Sequence, residues 1–216
     1  RSVTVSIDTS TISLERSMSS GLSSSRQMAQ VLAQDYEGRV CVADCRTISV
    51  TQRFSVLDAI TLAKAGCTVE EIRRQLEYSG KESVIYLGVE TLEYLKRGGR
   101  ITPAAAAIGT IMSIKPLLII KGEKLDAFAK VRGTVNCKKR LVEAIQEAAE
   151  VYTRQGVDFM GAAAGSFLDP QEAQSWKQLL HDTFPGHPLY DDPLTCSIGC
   201  HVGPGAFGMA VYRKLN

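Results

Sequence analysis

The 216-residue chain carries 25 Lys and Arg against 23 Asp and Glu, a formal net charge of +2, with 44% hydrophobic and 22% charged residues. That balance suits a globular protein with one large or two small cores, and the basic residues form no block that would hold nucleic acid. No apolar stretch reaches the roughly 18 uncharged residues of a spanning helix, the N-terminus lacks a secretory layout, and a cytoplasmic location with free thiols is the expectation.

Ser2 to Ile7 alternates polar and apolar residues and reads as a strand. From Leu22 to Tyr36 the apolar residues recur at helical spacing behind a run of serines suited to capping. Arg39 to Ala43 reads as a buried strand ending at Asp44, where a turn or capping role competes with a functional one. Val50 to Ala65 reads as a helix closed by Gly66. Thr68-Val-Glu-Glu71 has the capping-box pattern and opens a helix to Tyr78. Ser83 to Val89 reads as a strand. This strand–helix rhythm predicts an α/β fold with a mostly parallel, helix-covered sheet in the first half.

In the second half, Glu90 to Arg97 reads as a short helix stopped by Gly98-Gly99. Thr102-Pro103 starts another, running to about Ser113. Pro116 to Lys121 and Lys124 to Val131 read as strands about Gly122, and Thr134 to Arg154 as a long amphipathic helix. Val157 to Gly165 reads as a strand, and Asp169-Pro170 begins a helix to about Thr183. Asp191-Asp192 reads as a loop pair; Thr195 to Gly199 and Ala206 to Tyr212 read as strands around a glycine turn. The predicted domains are residues 1–88 and 89–216.

Three segments carry the chemistry: Ser19-Ser-Gly-Leu-Ser-Ser24, Tyr94-Leu-Lys-Arg-Gly-Gly-Arg-Ile101 and His201-Val-Gly-Pro-Gly-Ala206. Hydroxyls, guanidinium and imidazole supply the directed donors that suit a carboxylate or another small anion. The apolar run from Ala104 to Ile120 suggests an anion at the head of a greasy molecule; Ile108, Ile111, Met112 and Ile114 are the candidate tunnel wall. Each feature has a plainer reading. Ser19 and Ser20 would serve as helix caps, Arg97 as a solvated helix-end charge, His201 as a hydrogen-bonded structural residue, and the apolar run as core.

Six cysteines occur, with Cys41/Cys45 and Cys196/Cys200 at C-x3-C spacing and His201 beside the second pair. Cys41 and Cys45 lie in a predicted strand and turn, where an i, i+4 pair is too far apart for one ion. Small buried thiols are the simpler reading, and no metal is expected. Gly203-Pro-Gly-Ala-Phe-Gly208 matches G-x-G-x-x-G, but only eight residues follow it, too few for a dinucleotide unit. No Walker-type loop is present, so any ATP chemistry would have to come from a partner.

The ordered set Ser19 to Ser24, Val42-Ala-Asp44, Tyr94 to Ile101, Ile114-Lys-Pro116, Lys130-Val-Arg132 and His201 to Ala206 resembles the DegV family from Ser17 to the C-terminal end. The resemblance implies a two-domain α/β fold and a non-enzymatic fatty-acid carrier. On that resemblance the carrier is expected to be the acyl-carrying subunit of a bacterial fatty acid kinase that feeds phospholipid synthesis. By the same resemblance Ser19, Ser20 and His201 hold the carboxylate, and no residue is catalytic. Arg97 and Arg100 lie at the head-group end and kinase-docking surface, with Arg132 in that basic surface. The implied partners are a long-chain fatty acid, the kinase's ATP-binding subunit and, transiently, a membrane surface; no cofactor is implied beyond the bound fatty acid.

Ile7-Asp-Thr-Ser10 resembles the family's first strand, yet its Thr-Ser-Gln-Pro-Ser segment is not found, and Ser24-Ser-Arg26 stands where Gly-Thr-Tyr is usual. The chain therefore reads as a shortened member. Two alternatives stand beside the carrier. One is a hydrolase or acyltransferase pairing Ser19 or Ser20 with His201, which lacks a nucleophile-elbow pattern. The other is an inactive truncated member.

Overall fold

The computed structural model describes residues 3–7, 10–16, 22–106, 114–120, 125–167 and 169–215, with side chains from residue 22 onward. It divides into two compact units, residues 1–83 with 215–216, and residues 84–214. The division falls at Ser83/Val84, ahead of the 88/89 boundary expected from sequence, because the strand at 84–88 hydrogen-bonds into the second sheet.

The first unit holds β1 (Val3–Ile7), β2 (Ser10–Arg16), α1 (Ser25–Ala33), β3 (Val40–Ala43), α2 (Val50–Lys64) and α3 (Val69–Glu82). Its sheet runs β1-β2-β3, with β1 antiparallel and β3 parallel to β2. The expected mostly parallel arrangement is thus met only by β2 and β3. Two residues separate β1 from β2, far short of a parallel crossover. The helix expected from Leu22 to Tyr36 stops at Ala33, continues as a 3-10 turn over Gln34–Tyr36 and ends at Glu37, with φ 48. A core of Ala43, Cys45, Ala59, Ile72 and Leu76 binds α2 and α3 to the strand end. Asp44 is buried and ties that end to α1 through Arg26, 3.1 Å away, with Arg46 at 3.7 Å.

The capping box forms as its sequence pattern demands. Thr68 Oγ1 accepts from the Glu71 N–H at 3.3 Å, and the Thr68 N–H donates to Glu71 Oε2 at 2.8 Å. Thr68→Ala is expected to cost about 1 kcal/mol, read as a lower urea midpoint. The bonds from Thr68 also hold the Glu71 carboxyl below its ordinary value. A carboxyl depressed in the folded state stabilises above its unfolded pKa and loses that effect as pH falls through the lower, folded one. The Thr68→Ala deficit should therefore shrink in acid; a deficit unchanged at the lowest pH that still permits folding would contradict the pairing.

The second unit holds β4 (Val84–Gly88), α4 (Glu93–Gly98), α5 (Pro103–Ala106), β5 (Ile114–Ile120), β6 (Leu125–Arg132), α6 (Thr134–Arg154), β7 (Phe159–Gly165), α7 (Pro170–Thr183), β8 (Leu189–Pro193), α8 (Cys196–Val202) and β9 (Phe207–Arg213). One six-stranded sheet runs β6-β5-β4-β9-β7-β8, antiparallel throughout except for β7 with β8. Helix α6 buries Cys137, Leu141, Ala144, Ile145, Ala149 and Tyr152, a three-and-four spacing that lays one face on the sheet. Phe207, Met209 and Val211 of β9 meet this core with Trp176 and Leu180 of α7. The expected turn at Gly122 and the helix from residue 107 to Ser113 lie outside the described residues.

Two sequence expectations need correction. Asp191 and Asp192 are not a loop pair; they lie in β8, the parallel edge strand beside β7. Thr195 to Gly199 is not a strand either: Thr195 is the N-cap of α8, and Cys196 to Gly199 lie in that helix. Strand β7 already has β8 on one side and β9 on the other, so the ladder has no vacant place there. The chain returns from the edge to β9 past β7, and α8 fills that return.

Candidate functional site

Within the second unit the two glycine motifs meet. Helix α4 ends with the Gly99 N–H on the Lys96 carbonyl at 3.1 Å and the Arg100 N–H on the Leu95 carbonyl at 3.2 Å. This paired closure needs a left-handed residue, and Gly99 supplies it at φ 66. The chain then turns back: Arg100 Nη1 donates to the Gly98 carbonyl. The Arg100 carbonyl accepts from the Leu125 N–H at 3.2 Å, which fixes the loop to the start of β6.

Helix α8 packs on α4 and brings His201 against Gly98. The ring is so close that a Cβ on Gly98 would lie 2.7 Å from His201 Nδ1 and 3.7 Å from the Arg100 side chain. Both His201 and Arg100 are half-buried. The arrangement is an imidazole and a guanidinium anchored to one helix end, each partly open to solvent. Such a pair can donate to a carboxylate while its apolar body lies elsewhere.

The turn after His201 is held from below. Gly203 has φ 80, and the Tyr94 ring would lie 2.5 Å from any Cβ added there, so both backbone and space require glycine. Ser166 Oγ donates to the Gly203 carbonyl at 2.7 Å and accepts from the Ala206 N–H at 3.1 Å. The Ser166 backbone adds bonds with Ala206 and Gly205 at 2.8 Å each. Ser166→Ala would leave the fully buried Ala206 N–H without that acceptor. A loss of about 1–3 kcal/mol is expected, seen as a melting temperature several degrees lower. Glu90, packed under Gly205, forms an ion pair with Lys115 and so links this turn to β5.

The sequence-derived candidates distribute unevenly. His201, Gly98 and Arg100 are brought together. Arg97 is exposed in the last turn of α4. Arg132 is exposed at the end of β6, paired in register with half-buried Ile114 of β5. Ser19, Ser20, Ile108, Ile111 and Met112 lie outside the residues whose side chains are described. Ser166 and Glu90 escaped sequence reasoning: neither sits in a motif that marks a buttress, and only the fold brings them under the glycine turn. Among the described residues no three of His, Cys, Asp and Glu gather to hold a metal ion, and no described helix is long and apolar enough to cross a membrane.

Comparisons with known proteins converge. A family model described as "Uncharacterised protein, DegV family" matches residues 10–214. A DegV domain-containing protein of Streptomyces coelicolor is 32% identical over 198 residues, covering 91% of this chain and 68% of its own. One from Deinococcus radiodurans is 31% identical over 194 residues, covering 90% and 67%. Among solved structures, a fatty-acid-binding DegV family protein of Thermus thermophilus superposes with TM-score 0.80 at 30% identity, covering 91% of this chain and 69% of that one. DegV of Bacillus subtilis, described as a fatty acid binding protein, gives TM-score 0.75 at 28% identity over 91% and 69%.

Proposed function

The chain belongs to the DegV family, and from that membership we propose that it binds a long-chain fatty acid and presents it to a separate kinase for acyl phosphate formation. The observation that carries the reading is the seating of His201 on Gly98 beside Arg100. Two motifs far apart in sequence meet there, which brings an imidazole and a guanidinium to one helix end, and the relatives of known structure cited above are described as fatty-acid-binding. In this reading Ser19 and Ser20 join His201 on the carboxylate. Arg97, Arg100 and Arg132 form the basic surface that meets the ATP-binding subunit, with transient contact to a membrane surface. Ile108, Ile111, Met112 and Ile114 line the acyl tail. The setting is cytoplasmic, the ligand takes the place of a cofactor, and the phosphoryl chemistry belongs to the partner.

The energetics assign separate tasks to tail and head. Burying about fifteen methylenes contributes up to ~12 kcal/mol at ~0.8 kcal/mol each. Immobilising the ligand and desolvating its carboxylate subtract several kcal/mol. The polar residues need not create affinity; they keep the anion satisfied while its tail leaves water.

Native mass spectrometry of the chain purified from bacterial cells tests this directly. The expected spectrum carries one adduct with the mass of a long-chain fatty acid, depleted in His201→Ala. Arg100→Ala should slow acyl phosphate formation by added kinase and weaken the adduct less than His201→Ala does. A bare chain that hydrolyses esters, with that activity abolished in Ser19→Ala, would replace the carrier reading by the hydrolase.

A further inference from the structure

Cys196 and Cys200 are both exposed, and both lie in α8 rather than in the strand expected from sequence. The change of element changes their chemistry. Four residues apart on an extended chain, two thiols are more than a turn's width apart. Four apart on a helix, they share one face, with Cβ atoms about 5–6 Å from each other. The Cys200 thiol already leans back over the preceding turn, donating to the Ser197 carbonyl at 3.5 Å. That is the direction in which Cys196 lies.

From this placement we propose that Cys196 and Cys200 form a two-thiolate site for a soft, reduced metal ion of the Cu(I) class. The spacing discriminates between the reactions open to a thiol pair. A disulfide needs Cβ atoms about 3.5–4.5 Å apart, so closing one would distort α8. Two metal–sulfur bonds of about 2.3 Å span up to about 4.6 Å between sulfurs, which the helix accommodates as it stands. Among the described residues no third His, Cys, Asp or Glu completes a cluster. A tetrahedral ion such as zinc asks for four ligands, while an ion content with two soft sulfur ligands matches the pair as it stands. Binding releases one proton from each thiol to solvent and forms two S–Cu bonds; copper enters already reduced, so no electron is transferred. His201, the next residue after Cys200, faces Gly98 instead and takes no part.

The test titrates the reduced full chain with Cu(I) under argon against a coloured Cu(I)-selective chelator. One ion per chain is expected to be withheld from the chelator by Cys196 and Cys200. Cys196→Ser and Cys200→Ser should each lower the affinity at least tenfold. Cys41→Ser and Cys67→Ser should leave it unchanged. The paired change Ser197→Cys with Cys200→Ser keeps two exposed thiols but places them side by side on different faces; it should also lose at least tenfold. Binding that survives in this relocated pair, or in the double Cys196→Ser, Cys200→Ser variant, would overturn the proposal. So would an intrahelical disulfide forming in air, seen as a loss of two mass units, with helical circular dichroism unchanged. Because fatty-acid retention is read separately by native mass spectrometry, failure here leaves the carrier reading untouched.

Discussion

Gly98→Ala is expected to lower fatty-acid retention about tenfold, equivalent to ~1.4 kcal/mol, while leaving the melting temperature nearly unchanged. Gly98 has no left-handed backbone that would forbid a side chain; what forbids it is His201. An added methyl would lie 2.7 Å from Nδ1, well inside contact distance. The ring is at the end of a flexible, half-buried side chain, so it moves aside instead of straining the core. The cost then falls on ligand binding, because a hydrogen bond to a charged group contributes about 1.5–3 kcal/mol. Displacement of a fluorescent fatty acid gives the number. His201→Ala should lose a similar amount, and combining the two changes should add little, since both act through one imidazole. Full retention in Gly98→Ala would remove His201 from the carboxylate site.

Gly80→Ala should be the most damaging small substitution in the first unit. Gly80 lies near the end of α3, where alanine is favoured over glycine by up to ~1 kcal/mol on propensity alone. Sterics decide otherwise. A Cβ there would lie 1.9 Å from the Cys45 carbonyl oxygen and 2.6 Å from its carbon. These are backbone atoms of a buried residue, so no rotamer relieves the clash. Overpacking typically costs about 1–3 kcal/mol, and the loss here is expected at ~3 kcal/mol or more, against a total of about 5–15 kcal/mol for a typical domain. Urea unfolding should show a sharply lower midpoint. A stabilised variant would mean that α3 does not sit against the Cys45 backbone.

The elements that could be read from sequence are those whose causes are local. The capping box at Thr68 and Glu71 needs only four residues, and the face of α6 repeats through Leu141, Ala144, Ile145, Ala149 and Tyr152. Helix α8 departs from the strand expected over Thr195 to Gly199 because so short a segment carries no periodicity that separates helix from strand; the filled ladder around β7 decides it. Likewise β8 owes its existence to pairing with β7, which no pattern in Leu189–Pro193 announces. In the candidate site, the glycine pair and the glycine-proline turn are the segments that the fold brings together. That Gly98 makes room for His201, or that Ser166 props the turn, depends on contacts between distant parts of the chain.

Strand β8 has a bearing on how the protein behaves in a crowded solution. It forms one rim of the six-stranded sheet, and a bare rim is a template for another chain to stack upon. Here the exposed positions are Asp191, Asp192 and Pro193: two negative charges, then a residue with no N–H to offer. Asp191 is also tied to Lys177 of α7 at 2.8 Å, so replacing the two aspartates by valine would remove both the charge and that tie and invite fibrous self-assembly at this rim.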